Sequence, residues 1–149
     1  ARDNAGSVEA FVAKMNSRCV ELGLQDSHYV NPHGLPSTND DEPYSTARDL
    51  AVIAKLCDQQ PEIRKIVKMQ SYTFKWPNGR VTELSNTNRV LRNASYCDGM
   101  KTGFTEAAGY CLVASGERNG RRRIVIVLND TEAGVWRDAQ PLLDWALKA

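Results

Sequence analysis

From Ser7 to Gly23 apolar residues recur at three- and four-residue steps, placing Val8, Phe11, Val12, Met15, Cys19, Val20 and Leu22 on one face of a predicted helix. Ser7 can cap its start, and Gly23 is a natural stop. The spacing returns at Leu50, Ile53, Ala54 and Cys57, predicting a second inward-facing helix that runs from a Ser45 or Thr46 N-cap to about Gln59. Pro61 restarts the chain into a short helix over 62–67. A terminal helix is predicted over 135–148, with Trp136, Ala139, Leu142, Leu143, Trp145, Ala146 and Leu147 largely on one side and a kink or restart at Pro141. The intervening 24–44, rich in Asn, Pro, Gly, Ser and Asp, reads as an irregular loop whose Asp40-Asp41-Glu42 run is solvated.

The second half of the chain changes period. Ser71 to Lys75 and Arg80 to Leu84 are extended runs flanking Trp76-Pro77-Asn78-Gly79, and Asn-Gly between such runs signals a hairpin. A second hairpin is predicted around the Thr105–Gly109 loop, with Tyr110 to Ser115 as its returning strand. After a turn at 117–120, Arg122 to Leu128 forms a strand in which Ile124 to Leu128 is apolar throughout, the pattern of burial on both faces. The expected division is a mainly helical part over 1–70 and a part over 71–149 containing strands and the terminal helix, within one globular domain.

Charge narrows the function class. Nineteen basic and 18 acidic residues leave a net charge of +1, too small a field to gather nucleic acid or an anionic membrane over distance, so no nucleic-acid partner is expected. The basic cluster Arg121-Arg122-Arg123 precedes an apolar strand and reads as its solvated edge rather than a phosphate site. No run approaches the roughly 20 apolar residues that span a bilayer. Cys19, Cys57, Cys97 and Cys111 show neither C-x-x-C spacing nor a metal pattern; they read as small apolar side chains, with one disulfide of open pairing allowed in an oxidising compartment.

The chemistry concentrates in the first strand of the second hairpin. Lys101 and Gly103 should share one face with Thr102 on the other, and Gly99 and Gly103 let a ligand backbone approach closely. An ammonium beside a hydroxyl suits a carboxylate, although Lys-Thr-Gly alone could be an ordinary surface hairpin. The longer run Asp98-Gly99-Met100-Lys101-Thr102-Gly103-Phe104-Thr105, followed by Ala107-Ala108-Gly109-Tyr110-Cys111-Leu112-Val113-Ala114-Ser115, resembles the low-molecular-weight D-alanyl-D-alanine carboxypeptidases, a serine-type branch of the penicillin-binding proteins. Phe11-Val12-Ala13-Lys14-Met15-Asn16, Asn31-Pro32-His33-Gly34-Leu35, Tyr44 to Leu50 and Asn86-Thr87-Asn88-Arg89-Val90-Leu91 resemble the same family in the same order, although each asparagine of the last stretch also suits a structural turn.

The resemblance implies an α+β fold of the penicillin-binding protein and β-lactamase type, an antiparallel sheet with packed helices, working outside the cytoplasm in the periplasm or cell envelope. It implies a penicillin-sensitive, metal-free and cofactor-free serine mechanism on the D-Ala-D-Ala end of peptidoglycan stem peptides, with β-lactams as inhibitors. Within it Lys101 would stabilise the site electrostatically, and Thr102 would help hold the terminal carboxylate. Gly103 would keep the strand open, and Phe104 would lend its backbone N–H to the oxyanion hole. His28, His33 and Asp26 could suggest a metal, but no further ligand follows at helical spacing.

The family's other two motifs fail on inspection. None of the nine serines has a lysine three positions on, so S-x-x-K is missing. Ser37-Thr38-Asn39 spells S-x-N in the wrong place, and Arg2-Asp3-Asn4 has arginine where that motif needs serine. The expectation is therefore the C-terminal part of a catalytic domain, inactive alone and completed by a missing N-terminal half or a second copy. The alternative is a non-catalytic member that only binds cell-wall peptides.

Overall fold

The computed structural model describes residues 1–36 and 41–149. The chain divides into two compact units, 1–53 and 54–149.

In the first unit, helices α1 (Arg2–Ala5) and α2 (Val8–Glu21) are followed by loop and by the start of α3 (Ala47–Asp58). Ser7 caps α2 as its sequence position predicts, its Oγ accepting the Ala10 N–H at 3.0 Å. Cys19 and Leu24 are the buried apolar residues, whereas Val20, expected on the inward face, is 81% exposed. Side chains organise the loop. Asn16 grips the Tyr29 backbone through both its amide groups, at 2.7 and 2.8 Å, and the buried Asp49 accepts the Asp26 N–H at 3.1 Å and the Ser27 hydroxyl at 2.8 Å. Thr46 supplies the cap bond to Asp49 N at 3.2 Å. The Asn31 turn closes on the N–H groups of His33 and Gly34, and His28 faces Asp41 at 3.3 Å. Ser37-Thr38-Asn39 and Asp40 lie outside the described residues.

The second unit carries α4 (Pro61–Val67), the hairpin β1 (Ser71–Lys75) and β2 (Val81–Ser85), α5 (Arg89–Asn93), the strands β3 (Cys97–Thr105), β4 (Gly109–Arg118) and β5 (Arg121–Asp130), and α6 (Gly134–Lys148). Gly79, at φ 82°, makes the predicted turn of the first hairpin. The other three strands form an antiparallel sheet in the order β3-β4-β5. One face of it packs into a core of Leu112, Ala114 and Val125 with Val90 and Leu91 of α5 and Val135, Ala139, Leu143 and Leu147 of α6.

Three expectations are corrected. In α6 the buried residues fall four apart, so Leu143 is fully buried while its neighbour Leu142 and Trp145 are 38% and 67% exposed. Strand β5 lies at one edge of the described sheet and buries only Val125, not both faces of its whole apolar run. The middle arginine of the basic cluster is not solvated: Arg122 is bound by Asp58, Asp98 and Glu117.

Candidate functional site

Strand β3 is the other edge of that sheet. Along one side it pairs with β4, Lys101 opposite Val113 and Gly103 opposite Cys111; among the described residues no strand pairs its other side. Alternation puts Lys101 and Gly103 on one face and Thr102 and Phe104 on the opposite one. Lys101 is exposed, with its ammonium folded back on the Thr102 carbonyl oxygen. Gly103 is exposed too, and a Cβ built there would meet nothing nearer than Cys111 Cβ at 4.0 Å. Phe104 is 54% exposed and lies against the Tyr110 ring with centroids 4.2 Å apart. The structure thus brings the four sequence-selected residues together as an accessible cation, a hydroxyl and an open backbone on one free edge.

The family-like stretch Asn86 to Leu91 supplies supporting groups whose contacts the sequence does not show. Thr102 Oγ1 lies 2.7 Å from Thr87 Oγ1. The asparagines flanking Thr87 hold it in place. Asn86 donates to the carbonyls of Val67 and Met69 at 3.1 and 2.9 Å and accepts the Asn88 N–H at 2.9 Å. Asn88, 1% exposed, caps α5 through Oδ1 and donates through Nδ2 to the Gly99 carbonyl at 2.9 Å, tying α5 to β3 two residues before Lys101.

A charged cluster fixes the start of the strand. Arg122 donates to Asp58 at 2.6 and 2.9 Å, to Asp98 at 2.8 and 3.2 Å and to Glu117 at 2.9 Å, while the buried Ser115 hydroxyl donates to Asp98 at 2.8 Å. Burial pushes the Asp98 carboxyl up, but hydrogen bonds from Arg122 and Ser115 and the Arg122 charge outweigh it, leaving the group below its ordinary range. Asp58, ahead of Asp98 and Glu117, holds the Arg122 guanidinium protonated against the cost of burial. The signal that could have found this cluster is Asp98 itself, a carboxylate within a strand whose flanking residues are buried, which requires a partner.

All four cysteines are free thiols, Cys19 and Cys97 buried, and burial raises the pKa of both. Among the described residues no group of three or more His, Cys, Asp and Glu side chains is disposed to hold a metal, and no helix is long and apolar enough to cross a membrane.

This geometry fits what is found on comparison with known proteins. A sequence profile for D-alanyl-D-alanine carboxypeptidase matches residues 1–132. The chain belongs to the D-alanyl-D-alanine carboxypeptidase family. Among curated members of that family, DacA of Escherichia coli K12 is 38% identical over 146 residues, 97% of this chain and 34% of its own length. DacF of Bacillus subtilis is 37% identical over 83% of this chain and 31% of its own length. The chain therefore spans about a third of the curated carboxypeptidases that it matches. Among solved structures, a D-alanyl-D-alanine carboxypeptidase from Mycobacterium tuberculosis superposes with a TM-score of 0.87 at 30% identity, covering 99% of this chain and 57% of that one. The Streptomyces K15 DD-transpeptidase gives 0.86 at 32%, covering 95% and 55%. Helices with antiparallel sheets, an α+β architecture, are shared with these DD-peptidases.

Proposed function

We propose that residues 1–149 supply one wall of a serine-type D-Ala-D-Ala carboxypeptidase that trims peptidoglycan stem peptides outside the cytoplasm and is inhibited by β-lactams. The observation that carries this is the free edge of β3, where Lys101, Thr102 and Gly103 stand accessible in a chain of this family. A stem peptide lying along that edge would set its terminal carboxylate against the Lys101 charge and the Thr102 hydroxyl, leaving the Phe104 N–H as an oxyanion donor.

The attacking serine and its lysine partner would come from outside these residues, since no serine here has a lysine three positions on. The serine oxygen would bond to the penultimate D-Ala carbonyl carbon, and the amide C–N bond would break. The terminal D-Ala leaves with a proton, and water then hydrolyses the acyl-enzyme. The peptide's location in the cell wall supports extracytoplasmic work, and the β5 edge, unpaired among the described residues and opposite the peptide-binding edge, supports completion of the sheet by further chain or a second copy.

The test is release of D-Ala from a D-Ala-D-Ala peptide by the full-length protein and its Lys101→Ala variant. Loss of a charge-assisted contact predicts a fall of about ten- to a hundredfold in kcat/KM. Binding without release would favour the non-catalytic reading, and undiminished release by the variant would remove Lys101 from the site.

A further inference from the structure

Resting on that function, we infer that Thr87 is a positioning residue: its hydroxyl acts through Thr102 to fix the hydroxyl that receives the substrate carboxylate. The two Oγ1 atoms lie 2.7 Å apart, a hydroxyl–hydroxyl hydrogen bond of ordinary length in which either oxygen can donate. A carboxylate settles the direction. It only accepts, so Thr102 must turn its proton to the ligand, and its remaining lone pair then takes the proton of Thr87. The resulting relay runs from Thr87 to Thr102 to the carboxylate, and each bond polarises the next.

The backbone around Thr87 suits this role. Both neighbours are consumed in holding the segment: Asn86 by the Val67 and Met69 carbonyls, and Asn88 by the Gly99 carbonyl and the α5 cap. Thr87 between them is exposed, and its hydroxyl pairs with the hydroxyl of the Lys-Thr-Gly motif. A residue needed only for the fold would have no reason to spend its side chain on a solvent-facing pair.

The experiment measures KM and kcat of the full-length protein for a D-Ala-D-Ala peptide and for the same peptide with its terminal carboxylate capped as an amide. Calorimetric Kd replaces KM should the wild type bind without turnover. Thr87→Val should raise KM for the carboxylate peptide about five- to tenfold, the size of one hydrogen bond, with kcat nearly unchanged and no effect on the amide. Thr87→Ser, which keeps the hydroxyl, should stay within about twofold of wild type, so a folding defect in the valine variant is distinguishable. Equal effects of Thr87→Val on both peptides, or none on either, overturn the relay. Thr102→Val serves as the control for the underlying function: loss of carboxylate preference there, without loss in Thr87→Val, sinks only the role of Thr87. Undiminished preference in Thr102→Val removes the Thr102 hydroxyl from the carboxylate site, and the relay with it.

Discussion

Replacing Arg122 by Met keeps an apolar stem but removes the charge that joins Asp58, Asp98 and Glu117. The side chains of Arg122, Asp58 and Asp98 are 22%, 15% and 28% exposed, so two carboxylates would be left largely desolvated with Arg64, 4.0 Å from Asp58, as their remaining cation. Breaking a buried pair costs about 3–5 kcal/mol, and partial exposure puts this site at the low end. Glu117, 44% exposed, adds little. The expected loss is roughly 3 kcal/mol, or about 10 °C in Tm.

The pH dependence carries a sign. Asp98 is depressed when folded, so its contribution to wild-type stability is present above the ordinary carboxylate range and is lost as pH falls through the folded value. Without Arg122 burial is opposed only by the Ser115 hydrogen bond and the charge of Arg64, and protonation of Asp98 relieves the variant. The gap between wild type and Arg122→Met should therefore be widest near pH 7 and shrink toward about pH 3, read by urea unfolding at each pH. A gap below about 1 kcal/mol and independent of pH would mean that Arg122 behaves as a solvated surface arginine.

Three further outcomes follow from packing. Asn88→Ala should cost about 2–4 kcal/mol by urea unfolding, because it strips the α5 cap and leaves the Gly99 carbonyl with the weak Cys97 thiol as its side-chain donor. Leu143→Ala should cost about 2–5 kcal/mol, whereas Leu142→Ala, at a site 38% exposed, should cost much less, a contrast measurable in Tm. Gly116→Ala should lower stability by about 1–3 kcal/mol, since a Cβ there would sit 2.5 Å from the Tyr96 carbonyl oxygen.

Much of the fold was legible because its signals are local. The Ser7 cap, the Asn78-Gly79 turn and the three-to-four spacing of α2 and α3 each depend on residues within a turn or two of one another. Helix α5 was not read, for five residues are too short to show a period and Asn88 is its only start signal. In α6, apolar residues at 142, 143 and 145 cannot all face one way at 100° per residue, and the four-residue row through Val135, Ala139, Leu143 and Leu147 wins the core. The candidate residues Lys101 to Phe104 are selected by a motif within one strand, so their placement side by side is a local signal too. Their supports were not legible: Arg122 lies 64 positions from Asp58 and 24 from Asp98, and Thr87 lies 15 from Thr102, pairings that only the folded chain establishes.

The most direct test of the proposed Lys-Thr-Gly wall is mass mapping of the full-length protein after incubation with a penicillin, with and without Lys101→Ala. The account predicts a covalent adduct on one serine outside residues 1–149, formed at least tenfold more slowly in the variant. An adduct on a serine within this chain, or labelling that is indifferent to Lys101, would contradict it.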